Sequence, residues 1–426
     1  MECTSLFAVR QTAGRGGLWF GMIYQAFQAH ADVMAGLRRA ADLTATVLGH
    51  PVPPMPDLPH ARQASALLEV FAGADLSYKR PPFGIPAVRV GNRDVEVTEE
   101  AAHVTPFATL LHFKKDVATE QPKVLVVAPM SGHFATLLRG TVRTLLPEND
   151  VYITDWHNAR DVPLRAGAFD FDDFVDHIIK FIEVIGPRTH IVAVCQPCVA
   201  VLAAVALMAD GDHPMQPRTM TLMAGPIDTR LNPTKVNDLA MARPIGWFED
   251  KLIGRVPLRF PGAMRRVYPG FMQLTAFMSM NLNRHVQAHI DLYDMLVKKD
   301  AVKAASIKSF YDEYFAVMDL PAEFYLQTVR IAFQEHLLPL GRLKSRGRPV
   351  RPSSIRRTHL LTVEGERDDI CGIGQTLAAQ DLCTNLSPYR KRHHMQAGVG
   401  HYGVFSGRKW ESGIYPMVKH IIHSND

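Results

Sequence analysis

Between Val124 and Val194 short apolar runs alternate with amphipathic stretches, and this alternation restricts the fold more than any other feature of the chain. Val124–Ala128, Val151–Thr154 and His190–Val194 have the length and continuity of strands buried on both faces, whereas Phe134–Leu146 and Phe171–Val184 have helical spacing. A βαβαβ order requires a parallel sheet with helices on both sides, and such sheets place their chemistry beyond the carboxyl ends of the strands. Thr219–Met223 and His359–Val363 continue the series. The stretch between them, rich in Met, Tyr, Phe and Trp and without strand rhythm, predicts a mainly helical cap over residues 230–355, inserted into a core of residues 87–229 and 356–426.

Upstream, Ala87–Val90 and Val95–Thr98 flank Gly91-Asn92, and Ala108–Phe113 follows, which predicts an antiparallel entry to the sheet. Residues 22–86 form a helical arm and linker: helical spacing from Ile23 to Leu48, the proline-rich run Pro51–Pro59, then a helix through Leu67, Leu68 and Phe71. Residues 1–21 resemble neither a secretory signal nor a transit peptide. They are expected to be a disordered or mis-started extension, with Met22 as an alternative start.

Composition narrows the function classes. A balance of 47 basic and 42 acidic residues, a formal +5 over 426 residues, is too weak to call for nucleic acid. Cys3, Cys195, Cys198, Cys371 and Cys383 are odd in number and scattered, unlike a secreted disulfide framework, so a reducing cytoplasm is expected. No apolar run reaches the roughly 20 residues of a transmembrane helix.

The strongest chemical signal is Ala193-Val194-Cys195-Gln196-Pro197, which joins a β-branched strand to the Ala-rich helix Val199–Met208. This is the order of the nucleophile elbow of α/β-hydrolases, whose G-x-S-x-G box keeps small residues two positions either side of the nucleophile. Here Ala193 and Pro197 replace the glycines, and proline is accepted in a first helical turn. Cys195 at a helix N-terminus favours thiolate, although most free cysteines are simply small buried residues.

An acid and a histidine must then follow, each after a later strand. Glu364-Gly365-Glu366-Arg367-Asp368-Asp369 leaves strand His359–Val363 and offers Asp368, with Asp369 and Asp228 as alternatives. His401, flanked by Gly400 and Gly403, is the histidine candidate. Backbone N–H groups of Gln196 and Met130 are the expected oxyanion donors, with Ser131 an alternative to Met130.

Together with Ala128-Pro129-Met130-Ser131-Gly132-His133, Tyr152-Ile153-Thr154-Asp155-Trp156, Arg266-Val267-Tyr268-Pro269-Gly270-Phe271 and Phe310-Tyr311-Asp312-Glu313-Tyr314, these motifs resemble the intracellular poly(3-hydroxybutyrate) depolymerases of bacteria, from about Met22 onward. The resemblance implies an α/β-hydrolase fold, a Cys195–His401–Asp368 triad forming an acyl-thioester, and amorphous storage polyester on cytoplasmic granules as substrate and partner. It implies no cofactor or metal, and leaves room for coenzyme A as acyl acceptor and for a homo-oligomer.

Two rival readings use the same residues. A polyester synthase also carries a cysteine elbow, but in a G-x-C-x-G box; Cys195-Gln196-Pro197-Cys198 fits a C-x-x-C redox pair, which leaves Asp368 and His401 unexplained. Trp247, Tyr268 and Phe271, with Phe248, Phe260, Phe277, Met278 and Met280, are candidates to grip the polymer or the granule surface, although a place in a helical cap core is the commoner role for any one such residue. The basic run from Arg342 to Arg357 is expected to be a solvated loop, with an anionic granule coat or coenzyme A phosphate as the alternative. His285 and His289 share i, i+4 spacing, but Val286 stands where a zinc protease carries glutamate.

Overall fold

The computed structural model describes residues 23–49, 58–280 and 282–426. The 1–21 extension, Met22 as a start and most of the Pro51–Pro59 run lie outside these described residues, as does the Met280 side chain.

Two helices, α1 (Ile23–Gly49) and α2 (Pro59–Gly73), precede the sheet. The antiparallel strands β1 (Ala87–Val90), β2 (Arg93–Val104) and β3 (Ala108–Lys115) come next. The parallel series then runs β4 (Lys123–Val127), α3 (Arg139–Leu145), β5 (Asp150–Trp156), α4 (Phe171–Ile185), β6 (Thr189–Val194), α5 (Cys198–Asp210) and β7 (Thr219–Met223). After β7 come α6 (Lys235–Ala242), α7 (Ile245–Leu252), β8 (Gly254–Arg255), β9 (Arg266–Tyr268), α8 (Gly270–Met280), α9 (Leu282–Val297) and α10 (Ala301–Tyr314). The insertion closes with β10 (Leu320–Pro321), α11 (Ala322–Thr328), β11 (Lys344–Ser345) and β12 (Arg348–Pro349). The chain returns to the sheet with β13 (His359–Gly365), α12 (Ala378–Leu382) and β14 (Lys391–Gln396), and ends in α13 (Tyr415–His423).

The nine-stranded sheet has the order β1-β2-β3-β5-β4-β6-β7-β13-β14. From β5 to β14 every neighbour is parallel, with the crossover at β4 characteristic of an α/β-hydrolase. Burial explains the sequence pattern, since β6 and β7 are buried at every residue and α5 is buried along nearly its whole length, so neither shows alternation. α4 faces solvent on one side; it is amphipathic and carries an Asp170–Asp173 capping box.

Three details differ from the sequence reading. The stretch from Phe134 begins as a 3-10 turn, Ala135–Leu138, and becomes α3 only at Arg139. The insertion holds a three-stranded sheet, β10-β9-β8, whose two- and three-residue strands are too short to leave a periodicity. The basic run folds into the β11–β12 hairpin rather than a free loop: Arg346 pairs with Asp173 and, at 3.0 Å, Asp176 of α4, while Arg351 and Arg357 lie 3.6 and 3.4 Å from Asp210 and Asp212. These three arginines meet acidic side chains of the chain itself.

A buried polar cluster pins α1 to the insertion. Tyr24, fully buried, donates its hydroxyl to Asp319, which also accepts the Gly270 N–H at 2.9 Å. Burial raises the Asp319 carboxyl from 3.8 to about 6, against the lowering effect of Tyr24, Gly270 and Arg160. A carboxyl that holds its proton more tightly when folded contributes stability in full below about pH 4, and this is lost as pH rises through about 6. The shift corresponds to about 3 kcal/mol. Asp319→Asn is therefore expected to flatten the fall in unfolding free energy between pH 4 and 6, measured by urea titration; a slope equal to wild type would contradict this.

Candidate active site

The functional candidates come from the carboxyl ends of four parallel strands. β4 and β6 are paired in register, Val127 opposite Ala193, so the loop 129–133 and the turn at Cys195 leave the sheet side by side. β13 and β14 pair in the same way, Gly365 opposite Gln396, and their following loops are joined by Arg367 N–H to the Val399 carbonyl at 2.8 Å. Strand pairing thus carries the two loops to one place although Asp368 and His401 are remote in sequence.

Cys195 has φ +67°, a left-handed conformation rare for a residue with a β-carbon and costing about 1–3 kcal/mol. Its N–H donates to the Met223 carbonyl at 2.8 Å, and its carbonyl accepts the Cys198 N–H at 3.1 Å. These bonds hold the sharp turn. Pro197, at φ −67°, caps α5 without needing a donor, which explains its tolerance in place of glycine. The half-buried thiol stands at the amino end of α5.

His401 is buried, and its Nδ1 hydrogen-bonds Asp368 Oδ2 at 2.8 Å. Asp368 Oδ1 accepts the N–H groups of Ile370 and Cys371 at 2.9 and 2.8 Å, fixing the carboxylate plane. The imidazole also interacts with the Cys195 side chain. Burial by itself lowers the His401 imidazole, but its electrostatic and hydrogen-bond interactions with Cys195 and Asp368 outweigh it and hold the ring well above its ordinary value. The two alternative acids are placed elsewhere: Asp228 forms a bidentate pair with Arg230 at 2.8 and 2.7 Å, and Asp369 is exposed.

The loop 129–133 is held by the insertion. The Gly132 carbonyl accepts the Met318 N–H at 2.8 Å, and the buried His133 reaches the Tyr314 carbonyl at 3.1 Å. Burial lowers His133 to about 4, leaving it a neutral structural ring. Gly132 has φ +95°, and a β-carbon there would lie 2.6 Å from the Gln273 amide, so glycine is required. The Met130 N–H donates to Gln196 Oε1 at 3.2 Å. The Gln196 N–H belongs to the first turn before α5, where no intrahelical acceptor exists.

Two residues of the site had escaped the sequence reading. Glu364, buried at the end of β13, accepts the N–H groups of Gly374, Thr376 and Leu377 and so anchors the segment that follows the acid loop. Tyr402 stands next to His401, close enough to Cys195 for its phenol to be raised by burial and by that neighbour. A carboxylate after a strand and a tyrosine after a histidine carry no sequence signal of their own.

Trp247, Tyr268 and Phe271 lie in the packing of the insertion. Tyr268 is stacked on Tyr325 at 4.0 Å, and Phe271 on Phe27 of α1 at 3.8 Å, both with little exposed surface. Trp247 is half-buried against Phe248, with Arg243 over its ring. The aromatic richness of the insertion builds its own core, and none of the three is placed among the site residues described above. Cys198 is fully buried, its Sγ 3.5 Å from the Ala193 carbonyl and its thiol pushed up by burial, which disfavours the exposed thiolate of a redox pair. His285 bonds the Tyr311 hydroxyl and His289 the His285 carbonyl, at 3.0 and 2.8 Å.

A cavity of about 390 Å³ lies at the opposite end of the sheet, against Pro122 before β4 and Glu148 before β5, where parallel strands begin and place no chemistry. A cavity of about 240 Å³ lies beside Tyr402 and Phe405.

No curated protein matches the chain. Among solved structures it is similar to an epoxide hydrolase of Bacillus megaterium, at 10% identity over 79% of this chain and 99% of that one, TM-score 0.45. It is likewise similar to a 2-hydroxy-6-oxo-6-phenylhexa-2,4-dienoate hydrolase of Rhodococcus sp. strain RHA1, at 13% identity over 77% and 99%, TM-score 0.41. A meta-cleavage product hydrolase of Pseudomonas fluorescens IP01 gives 14% identity over 80% and 98%, TM-score 0.42. At these identities and scores nothing about substrate is carried over. A family model is more informative: residues 224–426, which include the insertion, Asp368 and His401, match the PHB de-polymerase C-terminus. Over residues 224–426 the chain is thus similar to the PHB depolymerase family, which supports an ester hydrolase, and its sheet order is that of the α/β-hydrolase fold.

Proposed function

We propose that the chain degrades amorphous poly(3-hydroxybutyrate), with Cys195 as nucleophile, His401 as general base and acid, and Asp368 as the group that orients the imidazole. The observation that carries this reading is the position of His401, between the Asp368 carboxylate at 2.8 Å and the Cys195 thiol. The raised imidazole favours a thiolate–imidazolium pair. In the first half-reaction the Cys195 sulfur attacks the ester carbonyl carbon; the C–O bond breaks and His401 gives its proton to the departing alkoxide. An acyl-thioester remains. In the second, His401 takes a proton from the acceptor, which attacks the thioester and releases the Cys195 thiolate. Water then yields a free acid, whereas the thiol of coenzyme A yields a new thioester.

The negative oxygen of each tetrahedral intermediate would face the N–H groups of Gln196 and Met130. The carboxamide oxygen of Gln196 now accepts the Met130 N–H, so the substrate oxygen displaces it. For the granule surface as partner in the cytoplasm, support comes from an apolar stripe on α1, where Val33, Leu37, Leu43 and Val47 are 55–73% exposed. Among the described residues no helix is long and apolar enough to cross a membrane.

The test is incubation of the protein with native amorphous granules, with and without coenzyme A, followed by identification of products. Soluble 3-hydroxybutyrate and its oligomers are expected. Release of 3-hydroxybutyryl-coenzyme A instead would make the thiol the acceptor, and failure to release either from the polymer would sink the substrate assignment.

A further inference from the structure

The 240 Å³ cavity is lined not by Cys195 or His401 themselves but by Tyr402 and Phe405, the rings that pack against His401. Phe310 and Tyr314 of α10 form one wall, Tyr402 and Phe405 the other, and Gly140 of α3 part of the floor. The Tyr402 and Phe405 rings both stand edge-on to the His401 imidazole, with centroids at 6.0 and 5.8 Å. Tyr314 packs on His133 at 5.4 Å and lies near enough to Tyr402 to perturb its phenol, as does Cys195. Tyr314, Tyr402 and Phe405 therefore line the cavity and also neighbour the site.

Reaction geometry says which half of a substrate belongs there. A histidine that protonates the leaving alkoxide must face it, so the alcohol half of a cleaved ester departs on the histidine side. We propose that this cavity binds the alcohol-side hydroxyacyl unit of the polyester, the unit that leaves with a new hydroxyl. The inference rests on the ester-cleaving role of Cys195 and His401 proposed above.

The lining fits such a unit. Aromatic faces suit its methyl and methylene groups. Burial holds the phenols of Tyr314 and Tyr402 above their ordinary values, so both keep a hydroxyl proton to donate, and an internal polyester unit carries only acceptors. The one cation of the lining, Arg139, is paired with Glu313 at 2.9 Å. A neutral pocket suits a unit whose own carboxyl is still esterified, in preference to a chain end bearing a free carboxylate.

The test compares two esters: methyl 3-hydroxybutyrate, whose methanol is too small to fill the cavity, and the methyl ester of the 3-hydroxybutyrate dimer, whose inner cleavage expels methyl 3-hydroxybutyrate. Wild type is expected to favour the dimer ester in kcat/KM by at least about tenfold. Gly140→Leu should shrink the cavity, because a β-carbon there has open room, its nearest neighbour being Ser406 Cβ at 3.8 Å. Phe310→Ala, at a 46% exposed position on the rim, removes one wall with little risk to folding. Both are expected to reduce the preference about tenfold. A preference unchanged in both variants, or no preference in wild type, overturns the pocket assignment while ester cleavage stands. Cleavage of neither ester by wild type removes both readings.

Discussion

Replacing Cys195 with alanine is expected to lower kcat/KM for ester cleavage by at least about 10⁴-fold, with the thermal midpoint changed by only a few degrees. The size follows from the mechanism: without sulfur no thioester forms, and what remains is the contribution of backbone donors and substrate binding. Stability should barely move because alanine bears the same cost of φ +67° as cysteine and the thiol is only half-buried. A second readout tests the geometry. Cys195 is one of the two groups that raise the His401 imidazole, so in Cys195→Ala its titration, followed by NMR, should move down. Asp368→Asn should cost about 10⁴-fold as well, since the amide no longer fixes the imidazole with its free nitrogen toward the thiol. Retention of wild-type activity by Cys195→Ala would end the nucleophile assignment.

Gly225→Ala is expected to destabilise the fold by about 3 kcal/mol and to reduce activity about 100-fold, although residue 225 touches no reacting atom. A β-carbon there would stand 2.2 Å from Cys198 Cβ, 2.4 Å from its Sγ and 3.2 Å from the Cys195 carbonyl. No such contact can exist, and the neighbours have no room to withdraw: Cys198 is fully buried, and Gly225 is clamped by the Thr376 hydroxyl at 2.8 and 3.0 Å. The turn carrying the thiol must therefore shift. Because the clash is with the β-carbon of Cys198, Cys198→Ala cannot relieve it, whereas Cys198→Gly can. The double variant should then be less damaged than the sum of the two single changes, a coupling read from urea midpoints and initial rates. Simple additivity would show that the close approach is not what demands glycine.

This contact also gives Cys198 a reason that its sequence could not supply. Beside Cys195 it looked like the second thiol of a redox pair; in the fold it is a small side chain that fits under the Gly225 backbone. The cap aromatics changed in the opposite direction. Tyr268 and Phe271 resembled polymer-gripping residues because large apolar side chains in an insertion invite that reading, yet Tyr325 and Phe27 cover their faces. Periodicity and composition report that a residue is apolar, but not what packs against it.

The central sheet was legible because its strands are buried on both faces and leave continuous apolar runs. β14, Lys391–Gln396, was not, since an edge strand with half-exposed and exposed residues, KRHHMQ, has no such run. Even so, its following loop revealed His401 by chain order and flanking glycines. The candidate nucleophile position, acid loop and histidine were thus legible locally, each from a strand end and a short turn. Tertiary structure alone separates Asp368, whose carboxylate meets the imidazole, from Asp228, which is paired with Arg230. It likewise set the basic hairpin against α4, joined loop 129–133 to the insertion and opened a cavity beside Tyr402 and Phe405. All of these depend on side chains brought together from distant parts of the chain, whose approach leaves no periodicity and no motif in the sequence itself.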